Sequence, residues 1–226
     1  MTLSIESART TIAARNDELR AVLHVLPKPV QNTSDSGAPL AGVPYVLKDV
    51  WDTAGIPTTG GSFRHRERVP SESSRIYVAL QKTGAALLGK SNLCDMAFSM
   101  ESDNHIFGPV RNPIDPSRTA GGSTGGGAAA VASGMAAFDW GTDFGGSIRL
   151  PAAFCGIVGL RLSAKTWSVD REHFPRISER FWSFCGMGPL AGDVATARRV
   201  VEALSAELGR RESADVDPSR VFLYAP

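Results

Sequence analysis

The chain of 226 residues predicts an α/β fold: a mixed, mostly parallel central sheet flanked by helices on both faces. Three observations carry this. Short apolar runs of strand length alternate with segments of helical periodicity, glycine and proline punctuate nearly every junction, and no internal repeat appears. Ile5, Ala8, Ile12, Leu19 and Leu23 share one helical stripe, which predicts an amphipathic helix over 5–25, ended by Pro27 and Pro29. Residues 42–47 read as a buried strand ending at Lys48, and 55–74 as a loop. Ser73 or Ser74 caps a helix through Lys82, Gly84 stops it, and 85–88 form a brief strand. Residues 101–127 read as one long irregular segment, a length that in a compact domain usually signals function. Then come a small-residue helix over 128–136, a strand over 137–140 and a strand over 157–162, while 163–184 follow neither period. Asp193 is an N-cap for a helix with Val194, Ala197, Val201, Leu204 and Leu208 on one face, closed by Gly209. Residues 221–224 read as a last strand. One domain is expected, with a lead-in over 1–38, a core over 40–208 and a linker with terminal strand over 210–226.

Composition removes several classes of function. With 24 basic against 23 acidic residues, the chain has no footprint for nucleic acid or an anionic membrane. The short basic cluster at Arg64, Arg66 and Arg68 reads as a solvated loop. No apolar run approaches the roughly 18 residues that span a bilayer, and the first twenty residues lack the apolar centre of a secretory signal. Cys94, Cys155 and Cys185 are widely separated and odd in number, which argues for buried free thiols and a reducing, cytoplasmic setting. The four histidines show no ligand spacing, and no metal or organic cofactor is expected. Gly and Pro number 23 and 14, about 16% of the chain against a usual value of about 12%, so tight turns or a backbone-built site are expected.

Three glycine-rich patterns compete for that site. Residues 84–91 match G-x-x-x-x-G-K-[ST], but a helix rather than a strand precedes Gly84, and 85–88 are apolar enough to be a strand themselves. Residues 121–125 match G-x-S-x-G, but two prolines stand where the strand of a nucleophile elbow belongs, and His173 is the single downstream histidine. The third pattern joins 121–127 to 141–149, each placing a serine among glycines. Inward N–H groups of such segments form a nest suited to an oxyanion. A serine there needs a base. Without a suitable histidine the next candidate is a desolvated, neutral lysine, and Lys48 ends an apolar strand, although a strand-end lysine taken alone is commonly a surface residue.

Taken together, the blocks 42–49 (GVPYVLKD), 89–92 (GKSN), 107–113 (FGPVRNP), 121–132 (GGSTGGGAAAVA), 141–149 (GTDFGGSIR) and 151–159 (PAAFCGIVG), followed by Gly188-Pro-Leu, resemble the amidase signature family over about 40–208. The resemblance implies that family's Ser–cis-Ser–Lys triad, with Ser147 as nucleophile, Ser123 as the bridging serine on a cis peptide and Lys48 as base. It also implies an oxyanion site built from the backbone N–H groups of Phe144, Gly145, Gly146 and Ser147, and a small-molecule amide as substrate, hydrolysed without metal or cofactor. The family often has Ser where Thr124 and Gly127 stand, and 165–184 match poorly. Members are generally much longer, so the resemblance implies the N-terminal half to two-thirds of the fold, cut after a strand. It therefore leaves room for a complementing chain or a homo-oligomer, and for a catalytically incomplete fragment or subunit. Amidotransfer to an acyl-tRNA ranks last because the charge balance offers tRNA little.

Overall fold

A computed structural model describes residues 3–32, 37–164, 166, 174 and 184–209. The expected terminal strand over 221–224, the linker before it, His173 and most of 163–184 lie outside the described residues.

The expected mixed sheet is present, with six strands among the described residues in the order β1-β3-β2-β4-β6-β5. These are β1 (Val22–Leu23), β2 (Pro44–Lys48), β3 (Ala86–Ser91), β4 (Phe138–Asp143), β5 (Val158–Gly159) and β6 (Gly186–Ala191). The centre is parallel, β3 and β4 both pairing with β2, and both ends are antiparallel. Among the described residues five α-helices cover it: α1 (Ile5–Leu19), α2 (Arg75–Lys82), α3 (Gly125–Ala132), α4 (Arg149–Cys155) and α5 (Val194–Leu208). Successive strand residues point to opposite faces, so two cores form. Tyr45, Leu47, Leu87, Phe138, Trp140 and Met187 meet α2 and α5 on one face. Val46, Leu88 and Leu190 meet α1, α3 and α4 on the other. No helix among the described residues is long and apolar enough to cross a membrane.

Several expected elements differ in extent, among them the strand expected over 157–162, which is confined to Val158–Gly159, and the one expected over 42–47, which runs over Pro44–Lys48. The first helix stops at Leu19 rather than near 25. Arg20 turns left-handed (φ +52°), and the Asn16 side chain holds both the N–H and the C=O of Val22 at 2.8 Å, which peels the chain away into β1. The strand expected over 85–88 runs on to Ser91, so the residues of the phosphate-loop match lie in a buried ladder and not around an anion. The small-residue helix starts at Gly125, three residues early, because Ser102 Oγ and the Asn92 carbonyl accept its first N–H groups at 2.9 and 3.0 Å. β4 extends to Asp143. β6 covers residues to which no predicted element was assigned, and it is buried between β4 and β5. The helix caps behave as expected: Ser74 and Asp193 accept from the N–H groups of Tyr77 and Thr196. All three cysteines are buried free thiols.

The loop after β2 is folded around a second buried lysine. Lys90, in register with Leu47, points to the α2/α5 face. Its Nζ donates to Trp51 O, Thr58 Oγ1 (3.0 Å) and Thr53 Oγ1 (3.3 Å) and lies 3.7 Å from Asp49 Oδ1. Asp49 accepts from Thr59 N and Oγ1 at 2.9 and 2.6 Å. Both residues are fully buried. Removing one member of such a pair strands the other in a medium that cannot solvate it. Lys90→Met is expected to cost about 3–5 kcal/mol in urea unfolding, and adding Asp49→Leu should recover part of that loss.

Candidate active site

Lys48 ends β2 on the α3 face, wholly excluded from solvent. Its Nζ donates to Ser123 Oγ at 2.7 Å and contacts Thr142 Oγ1 at 3.1 Å and Thr142 O at 3.4 Å. Among the described residues no carboxylate lies within ion-pair distance of it. Burial pulls the amine down to about 8, against the opposing pull of the Cys94, Asp139, Cys185 and Asp143 groups. A lysine so placed has a sizeable neutral fraction near neutral pH and can accept a proton.

Ser123 reaches Lys48 because the segment before α3 is pinned from several sides. The Gly122–Ser123 peptide bond is cis. Ser102 N–H donates to Gly121 O (3.1 Å), while Ser102 Oγ donates to Ser123 O (3.2 Å). Gly122 lies against the backbone of Glu101 so closely that a Cβ would meet it at 2.8 Å. Glycine is needed there for close approach.

Ser147 stands in the turn between β4 and α4, part-exposed. Thr124 N–H donates to Ser147 O at 3.1 Å, which ties the two serine segments together. The three residues read from the sequence are thus gathered at one place. The direct side-chain link runs from Lys48 to Ser123. Among the described residues no hydrogen bond joins Ser147 Oγ to Ser123 Oγ.

The nest around Ser147 is shaped by Asp143. Its carboxylate accepts from Gly146 N (2.7 Å), Ile148 N (3.1 Å) and Arg149 N (3.3 Å) and takes the Arg149 guanidinium through Nε and Nη2, both at 3.0 Å. Of the four N–H groups expected to meet an oxyanion, that of Gly146 donates to Asp143 Oδ1. Those of Gly145 and Ser147 have no acceptor among the described residues. His24, His65 and His105 take no part in the Lys48 cluster.

Thr142, Ser102 and Asp143 went unassigned in the sequence. The signal for Thr142 was its position on the strand that also leads to Ser147. For Asp143 it was an acid followed three residues on by a glycine and six residues on by an arginine. Burial pushes the Asp143 carboxyl up, but the Arg149 guanidinium and the Ile148 and Gly146 N–H groups outweigh this and hold it at about 2. A depressed carboxylate contributes stability that is complete above its ordinary range and lost as pH falls through its folded value. Thermal unfolding should therefore show stability draining away between about pH 4 and pH 2. Asp143→Asn should lower the neutral-pH midpoint and flatten that acid limb.

Known proteins resemble this chain in sequence and in fold. The Amidase family model matches residues 5–224. Among curated relatives, a glutamyl-tRNA(Gln) amidotransferase subunit of Prochlorococcus marinus is 46% identical over 159 residues, covering 70% of this chain and 30% of that protein. The same subunit of Anaeromyxobacter is 34% identical, covering 98% and 42%. The structure of peptide amidase from Stenotrophomonas maltophilia superposes with a TM-score of 0.76 at 30% identity, covering 98% of this chain and 47% of that one. A 6-aminohexanoate cyclic dimer hydrolase superposes at 0.78 with 27% identity, covering 94% and 44%. The chain thus spans less than half the length of these proteins. A family match over nearly its whole length, on a sheet that carries the Lys48–Ser123 bond, places this chain in the amidase signature family.

Proposed function

We propose that the chain is the triad-bearing part of an amidase that cleaves the C–N bond of a carboxylic amide through an acyl-enzyme on Ser147. The observation that carries this reading is the 2.7 Å bond between Lys48 Nζ and Ser123 Oγ, made by a fully buried lysine with no carboxylate partner among the described residues. Neutral Lys48 takes the Ser123 proton as Ser123 takes that of Ser147. Ser147 Oγ then bonds to the carbonyl carbon. The N–H groups of Gly145 and Ser147 face the developing oxyanion, a role in which one donor is commonly worth about 3 kcal/mol. The proton returns through Ser123 to the leaving nitrogen as the C–N bond breaks, and water releases the acid by the reverse path. The Ser147–Ser123 contact absent from the free protein closes when substrate is bound, as catalytic hydrogen bonds often do.

A second reading is supported by the shorter span and by apolar side chains left in solvent, notably Phe98 at 70% and Ile114 at 69% exposure. On that reading the chain works only with a complementing polypeptide. The curated relatives are themselves named as one subunit of an amidotransferase.

Incubation of the folded chain with a fluorophosphonate, followed by mass spectrometry, tests both. Stoichiometric labelling of Ser147 is expected, lost in Ser147→Ala and slowed about 10²–10⁴-fold in Lys48→Ala and Ser123→Ala. The rate should climb with pH and level off above about 8, as Lys48 gives up its proton. A folded chain that never labels overturns the first reading. Labelling restored only by an added polypeptide favours the second.

A further inference from the structure

Among the described residues three aspartates are fully buried in or beside the sheet: Asp49, Asp139 and Asp143. Asp49 has Lys90 and Asp143 has Arg149 and Arg161. Asp139 has no cation within ion-pair distance among the described residues. Its Oδ1 accepts from Ser91 Oγ at 2.8 Å, and its Oδ2 has no hydrogen-bond partner there. The carboxyl is pressed against Gly127 in the first turn of α3, so that a Cβ on that glycine would overlap it.

The register shows what this carboxyl faces. Asp139 pairs with Val46 and Ser91 pairs with Lys48. Val46 and Lys48 are two apart on β2 and share a face. Asp139 therefore lies on the face of Lys48, bonded to the residue directly beside Lys48 in the next strand. The other elements around it bring little competing charge. α3 supplies Gly, Ala and Val alone, with the positive end of its dipole, and β1 and β6 carry no titratable residue. Lys90 points to the opposite face, although its charge still helps to pull the Asp139 carboxyl down, Asp143 is engaged by its arginines, and burial keeps the thiols of Cys94 and Cys185 high and neutral.

We propose that Asp139 is a positioning residue for the Lys48–Ser123 pair: a buried carboxyl, steered by Ser91, whose charge retains the Lys48 proton and whose neutral form lets it go. The inference rests on the proposed role of Lys48 as base. Burial pushes Asp139 up to about 7, with the Ser91 hydroxyl and the charge of Lys48 pulling it back, while Lys48 lies at about 8. The two titrate within one narrow range, and each proton depends on the other.

The test is an NMR titration of protein carrying ¹³C at lysine Cε, with Lys48 identified as the resonance missing from Lys48→Met. In Asp139→Asn the Lys48 midpoint should move down by about half a pH unit or more, and the pH profile of Ser147 labelling should move with it. Ser91→Ala, which removes the donor favouring charged Asp139, should produce a smaller shift in the same direction. An unchanged or raised Lys48 midpoint in folded Asp139→Asn overturns the proposal. Should that variant not fold, an unchanged midpoint in Ser91→Ala does so instead. The NMR midpoint requires no turnover. A shift without labelling keeps the coupling and sinks the amidase reading, whereas labelling without a shift does the reverse.

Discussion

Everything at this site depends on one costly choice, a lysine amine buried with a hydroxyl instead of a carboxylate as its partner. Taking an ammonium out of water is expensive, and one without a counter-charge responds by losing its proton. Burial also pulls Lys90 down to about 8 although Asp49 lies beside it, so the two buried lysines differ in the partners they are offered. Lys48 and Lys90 sit in adjacent registered positions on neighbouring strands and both are fully buried. Lys90 is wrapped by three protein oxygens with Asp49 beside them, a structural arrangement. Lys48 is offered Ser123 and Thr142, groups that can give or take a proton with it.

The sheet keeps these two lysines from interfering. Because side chains alternate, Lys48, Ser91 and Asp139 share the α3 face while Lys90 and its partners share the other. A one-residue slip of β2 against β3 would exchange the two environments. The parallel core β3-β2-β4 thus does more than bury apolar surface. It delivers Lys48 from β2 and, where β4 ends, the turn that carries Ser147, side by side at the same end of the sheet.

Close approach is what the glycine excess contributes. At Gly122 and Gly127 the space for a side chain is already filled, by the Glu101 backbone and by the Asp139 carboxyl respectively. A helix that begins with three glycines is poor by propensity. It forms because Ser102 and Asn92 supply acceptors for its first turn and because its alanines pack into the core on the face of Val46.

Much of this was legible in the sequence. The alternation of strands and helices, the caps at Ser74 and Asp193, the two serine-bearing glycine segments and a strand-end lysine all follow from local chemistry, because caps, turns and periodicities are set by neighbours a few residues away. What local chemistry could not determine were elements whose partners come from afar. α3 starts early on acceptors from Ser102 and Asn92. β6 is a strand because β4 and β5 flank it, despite Pro189. Gly146 gives its N–H to Asp143 instead of holding it open. The sequence by itself determined which residues could do the chemistry. Only the tertiary structure decided that Lys48 has a hydroxyl and, among the described residues, no carboxylate within reach, and that Asp139 lies on the same face without a cation. Those facts depend on burial and cross-strand register, which no stretch of sequence contains.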